Sequence, residues 1–178
     1  TYKAPGTTAE RNVAWKAVFD KTTGLLTSYE NAGVQMLKEP LMPSFWRAPV
    51  ENDMGAGMHK KFRMWRNPEL KPVSMDIAEA EGYTCLTVVY RPFGDVCDIE
   101  MTYRVYGDGA ISCTEKLKDA GSLSKATPMF RFGMKFTMPG EFSTLDFYGY
   151  GPWENYSDRC SAALMGRYVQ SVSDQYHY

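Results

Sequence analysis

Neither sign of charge is in excess. Lysine and arginine total 20 against 21 for aspartate and glutamate, a formal net charge of −1 over 178 residues. That near-balance gives no electrostatic footprint for nucleic acid or for an anionic membrane surface. Long apolar runs are also missing, so no segment reads as a transmembrane helix. The opening Thr1-Tyr2-Lys3-Ala4-Pro5-Gly6-Thr7-Thr8 lacks the basic, apolar and cleavage regions of a signal peptide, and residues 1–10 read as a linker or a chain boundary. Histidine is scarce, with His59 and His177 the only two, and the four cysteines, Cys85, Cys97, Cys113 and Cys160, form no C-x-x-C pair. Together these argue against a structural zinc site. The cysteines read as small buried hydrophobes, with a disulfide left open. No P-loop, dinucleotide fingerprint or G-x-S-x-G elbow occurs. Glu51-Asn52-Asp53 lacks the ligand period and the closing glutamate of an EF-hand. No metal site is expected, and a self-contained hydrolase is a poor reading.

What the chain has in abundance is aromatic side chains, 14% of all residues, and short alternating runs. Val13, Trp15, Ala17 and Phe19 share one face of a strand. Asp20-Lys21-Thr22-Thr23-Gly24 turns the chain into a second strand over 25–29, and Asn31-Ala32-Gly33 turns it again. A polar segment over 56–67 leaves room for a short helix. From Val73 the pattern is repetitive: 73–80, 83–91, 97–106, 110–118 and 130–138 are five successive strand candidates, with 162–172 a further one. Glu81-Gly82, Gly107-Asp108-Gly109 and Pro139-Gly140 carry turn chemistry. Consecutive strands with short links pair antiparallel, and this many imply a sandwich. The expectation is a mostly-β single domain over 11–178.

Two stretches break the alternation. Pro43-Ser44-Phe45-Trp46-Arg47-Ala48-Pro49-Val50-Glu51-Asn52-Asp53-Met54-Gly55 holds a double aromatic, a cation close before a proline, and two acids around an amide. Its prolines bar regular hydrogen bonding, so neither an ordinary helix nor a central strand is expected. Phe147-Tyr148-Gly149-Tyr150-Gly151-Pro152-Trp153-Glu154-Asn155-Tyr156-Ser157-Asp158-Arg159 is the second. Gly149 and Gly151 allow close backbone approach there. The inventories match: Arg47, Glu51, Asn52 and Asp53 in one, Glu154, Asn155, Asp158 and Arg159 in the other. Carboxylates and amides accept sugar hydroxyls and aromatics cover sugar faces, so a shared carbohydrate cleft is one reading. The other, favoured residue by residue, is an ion-pair network that locks long loops in place.

At 45–55 and again at 148–159 the chain resembles the C-terminal small-chain domain of LacZ-type β-galactosidases, glycoside hydrolase family 2. The family patterns are F-W-R-A-P-x-D-N-D-x-G and Y-G-x-G-P-x-E-N-Y-x-D-R. Glu51 departs from the usual aspartate, keeping the charge on a longer arm. The turn over 20–26 and the region over 172–176 are also similar, so the resemblance covers nearly the whole chain. It implies a galactose-mutarotase-like antiparallel β-supersandwich, truncated here, that follows a (β/α)8 barrel. Both catalytic glutamates of the family lie in that barrel, so no residue of this chain is expected to be catalytic. The resemblance implies that Arg47, Glu51, Asn52, Asp53, Gly55 and His59 lie near the substrate or brace the loop at the active-site mouth. Trp153, Glu154, Asn155, Tyr156, Asp158 and Arg159 would hold the second loop. The implied partners are the rest of the β-galactosidase chain, above all the barrel, and a galactoside through the parent enzyme. The resemblance implies that any Mg or Na the parent enzyme uses lies in domains absent here, with no cofactor expected in this segment. The chain stops before a later aromatic segment of the family pattern, so a fragment of a larger hydrolase, cut at both ends, is expected. Compartment is left open between cytoplasm and periplasm.

Two rival functions remain at this point. A standalone carbohydrate-binding module would use Trp46, Trp65 or Trp153 as stacking platforms. Aldose mutarotation would need a histidine–carboxylate pair, which only His59 offers.

Overall fold

A computed structural model describes residues 14–153, 155 and 160–175. The chain divides into two compact units, one ending at Thr137 and one beginning at Met138.

The first unit is an antiparallel sandwich. One sheet comprises β1 (Trp15–Phe19), β2 (Leu26–Asn31), β4 (Glu39–Pro43) and β9 (Met134–Thr137) in that order, with the short β3 (Val34–Gln35) paired to β2. The other orders β5 (Pro72–Ala80), β6 (Tyr83–Tyr90), β7 (Cys97–Tyr106) and β8 (Ile111–Asp119). Strand β7 shows why: Ile99, Met101, Tyr103 and Val105 alternate inward and are buried, while Glu100, Thr102, Arg104 and Tyr106 alternate outward. Their β6 partners Tyr90, Val88 and Leu86 face the same way, and Ala17 and Leu26 of the first sheet, with Leu25 just before β2, share one core with them. Phe19 meets Tyr103 edge-on at 5.0 Å between ring centres.

The turn after β1 is built as its sequence foretells. Asp20 Oδ1 accepts the backbone N–H groups of Thr22 (2.6 Å) and Thr23 (2.8 Å), which holds its carboxyl below the usual carboxylate range. Gly24 has φ +69°, and a Cβ there would lie 2.6 Å from Val88 Cγ1. Only glycine meets both demands. Tyr90 donates its hydroxyl to Thr23 O at 2.6 Å, fastening the turn to the second sheet.

Three elements differ from the sequence reading. Strand β4 carries Pro40 and Pro43, which lack a donor. It still pairs β2 at Leu26↔Leu41 and β9 at Met42↔Lys135, with a register shift between Glu39 and Met42 that absorbs the missing bonds. The expected strand over 130–138 shrinks to Met134–Thr137, because Phe130 and Phe132 turn into aromatic contacts instead. Residues 147–151 continue a strand rather than opening a loop. Cys97 is buried, Cys85 and Cys113 are half-buried, and Cys160 is exposed, unlike the small buried hydrophobe expected of it.

One inward position on β8 is polar. Glu115 lies opposite the buried Met101. Its stem is partly exposed, yet both carboxylate oxygens are shut off from solvent and accept no hydrogen bond among the described residues. Burial pushes its pKa up to about 7. The folded form therefore keeps this proton above the pH at which the unfolded chain has lost it. The stabilisation is fully present below about pH 4.5 and is lost as pH rises through 7. With a discount for the partly exposed stem, the loss is about 1–2 kcal/mol. Glu115→Gln is expected to flatten this slope when urea melts at pH 5 and pH 8 are compared. Parallel slopes in the two proteins would contradict the assignment.

The second unit is a hairpin of β10 (Thr144–Gly151) and β11 (Leu164–Ser171) in continuous register. On one face Tyr168 lies across the glycines. A Cβ at Gly151 would come within 2.7 Å of its ring, whereas one at Gly149 would meet only Phe147 at 3.7 Å. The close approach expected of both glycines is thus a property of Gly151. On the other face Asp146 accepts a two-pronged bond from Arg167, at 2.9 and 2.5 Å.

Candidate functional site

The first motif leaves β4 and is pinned by rings. Phe45, 1% exposed, enters the core against Trp65 (5.7 Å), Phe93 (6.3 Å) and Phe132 (5.7 Å). Trp46 is half-buried and meets Phe130 edge-on at 4.8 Å. Phe62 takes another edge of Phe130 at 5.4 Å. Arg47 then lays its guanidinium over the same ring, 4.7 Å from its centre. Phe45 thus turns into the core while Trp46 and Arg47 both meet Phe130, as an extended segment between prolines allows.

Arg47 also reaches six residues ahead. Its Nη1 and Nη2 donate to Asp53 Oδ2 and Oδ1 at 2.5 and 3.3 Å, and Nη1 donates to Ala48 O at 3.1 Å. Asp53, 6% exposed, accepts the Val50 N–H at 2.9 Å through Oδ2. The Arg47 guanidinium, then the Val50 N–H, hold its carboxyl below the usual carboxylate range. Asp53 is the third residue of the short helix α1 (Glu51–Gly55), so its bond to Val50 caps that helix from within. This corrects the expectation that the motif would hold no helix. Pro49 excludes helix only before it, and a carboxylate at the third helical position favours a turn after it.

The remaining predicted residues divide. Glu51 and Asn52 are exposed on α1, so the bracing falls to Arg47 and Asp53. Gly55 is exposed, and a Cβ there would meet nothing. His59 lies on α2 (Met58–Lys61), half-buried, its Nδ1 shut off from solvent with no partner among the described residues. No carboxylate pairs with it among those residues, so the dyad that mutarotation requires is not formed there.

Of the three tryptophans that a binding module would use, Trp65 is removed from consideration. It is 1% exposed and donates its indole N–H to Thr127 O and Oγ1 at 3.0 and 3.1 Å. It is a core residue, and its sequence neighbourhood of Arg and Asn has no period to reveal this. Trp153 is 52% exposed and Asn155 is exposed. Glu154, Tyr156, Asp158 and Arg159 lie outside the described residues.

Sequence comparison bears on what this arrangement belongs to. The family model described as "Beta galactosidase small chain" matches residues 11–178. The β-galactosidase of Halalkalibacterium halodurans is 30% identical over 165 residues, covering 90% of this chain and 16% of that protein. Those of Priestia megaterium (29% over 161 residues, 89% and 15%) and Lactobacillus delbrueckii subsp. bulgaricus (30% over 166 residues, 91% and 16%) behave alike. The chain therefore spans about 16% of the length of the first of these curated relatives. With both the motif-bearing loop and the antiparallel sandwich in place, the chain belongs to the β-galactosidase small-chain family.

Proposed function

We propose that this chain is a non-catalytic accessory domain of a retaining β-galactosidase that cleaves terminal β-D-galactosides. The observation that supports this most directly is one of coverage: about nine-tenths of the chain aligns with about one-sixth of each relative. The parts of such an enzyme that carry chemistry would lie in the remaining five-sixths. The two glutamates of a double displacement would come from a (β/α)8 barrel, the partner of this domain, and any Mg or Na from the other domains.

The role of this chain is then positional. The Arg47–Asp53 pair holds α1 to the end of β4, so the segment from Gly55 onward leaves a rigid base at the mouth of the barrel. A brace of this kind acts by keeping the reacting groups of a neighbour in place, and small displacements there cost rate steeply. Assay of the purified 178-residue chain on a chromogenic β-galactoside is expected to show no turnover, while the whole polypeptide hydrolyses the same substrate. Turnover by the purified chain, abolished in parallel with its folded signal, would overturn the proposal.

A further inference from the structure

A groove in the first unit gathers cations with no acid to answer them. It has a volume of about 490 Å³, within the range of small-molecule sites. Its basic side chains are Arg66, Arg131 and Lys135. No aspartate or glutamate lines it, and none of the three cations forms an ion pair among the described residues. The nearest acid in sequence to Arg66, Glu69, is engaged by Lys71 at 2.6 Å. Glu39, on the strand next to Lys135, accepts the Thr137 hydroxyl at 2.5 Å. Glu69 is thus paired elsewhere, and three cationic residues line a cavity that no acid lines.

The cations are held by rigid parts of the fold. Lys135 stands across from Met42 in the β4–β9 pairing, and Arg131 precedes the same strand. Ser44 N–H donates to Gly133 O at 2.6 Å, tying the two segments beyond that pairing. Arg66 follows the buried Trp65 directly, and its guanidinium sits 5.7 Å from the centre of the Trp46 ring. Trp46, Pro43 and Phe45 supply an apolar wall beside the charges.

From this geometry we propose that the groove binds a small organic oxyanion of the phosphate-monoester class, its phosphoryl oxygens toward Arg66, Arg131 and Lys135 and its carbon skeleton against Trp46. A monoester carries close to two negative charges at neutral pH and three strong acceptor oxygens, which suits a cluster of three donors. A neutral sugar would leave the repulsion among the cations in place. The inference does not rest on the proposed function, and its test reads binding rather than hydrolysis.

Calorimetric titration of the complete polypeptide with glucose 6-phosphate, glucose and inorganic phosphate decides it. Glucose 6-phosphate is expected to bind at least roughly tenfold more tightly than either of the others, since both halves of the site must be filled. Raising salt should weaken it. The double variant Arg131→Gln/Lys135→Gln should weaken it at least about tenfold, with an unchanged melting temperature because both side chains are exposed. Arg66→Gln provides a second, independent variant with the same expectation. The proposal is overturned by equal affinity for the ester and glucose, by equal affinity for the ester and inorganic phosphate, or by wild-type affinity in both variants.

Discussion

Trp65→Ala is expected to lower the stability of the first unit by about 3–5 kcal/mol, a loss at the upper end of what one truncation can cause. The indole fills a space in which Phe45 and Phe93 meet it edge-on at 5.7 and 4.6 Å. Its removal leaves a cavity that those rings cannot close without giving up their own contacts with one another. The N–H that satisfies Thr127 O and Oγ1 is lost as well. Against a total of about 5–15 kcal/mol for a domain, this approaches unfolding. Trp65→Phe keeps most of the ring packing and should cost about 1–2 kcal/mol less. Urea denaturation followed by far-ultraviolet circular dichroism measures both. A loss below about 1 kcal/mol for the alanine variant would remove Trp65 from its place under the motif.

On the proposed function, Asp53→Ala in the complete polypeptide is expected to reduce kcat/KM on a galactoside by about ten- to a hundredfold, through the loop that Asp53 braces. Its carboxylate holds two things at once, the Arg47 guanidinium and the Val50 N–H that starts α1. Without it the arginine keeps its place over Phe130 but loses the partner that orients its fork. Arg47→Met should produce a similar loss, and the double variant less than the sum of the two, because the Arg47–Asp53 pair is common to both losses. Additive losses would mean that the two residues act separately and that no brace exists. The acid side has a defined sign. The Asp53 carboxyl sits below its ordinary value in the folded chain, so its contribution is present above about pH 4 and is lost only as pH falls through that lowered value. Any loss of activity between pH 5 and 7 must therefore arise elsewhere.

The strands are legible to different degrees, and for physical reasons. Strand β7 can be read with its observed ends, Cys97 and Tyr106, because alternation between a buried and a solvated face is written in adjacent residues. The turn at Asp20–Gly24 is equally local, since a carboxylate that accepts the next two N–H groups and a glycine with positive φ need no distant partner. Strand β4 escapes such a reading because Pro40 and Pro43 mark the end of pairing in isolation. Their missing donors are tolerated only because β2 and β9 meet the strand irregularly, from more than ten and more than ninety positions away.

The motifs show the same division. Family can be drawn from residues 45–55 and 148–159, and an ion-paired loop from 45–55, as they stand in the chain. Which members brace cannot. Glu51, Asn52 and Asp53 are consecutive and chemically alike, but one turn of helix points Asp53 alone back at Arg47 and leaves the other two exposed. Nor can the sequence separate Trp65, sealed against Phe45 and Thr127, from the half-buried Trp46, because neither sits in a periodic run. The sequence by itself determined the alternating strands, the local turns and the family. The tertiary structure alone decided which side chains of an irregular segment meet, because those contacts join elements that only folding brings together.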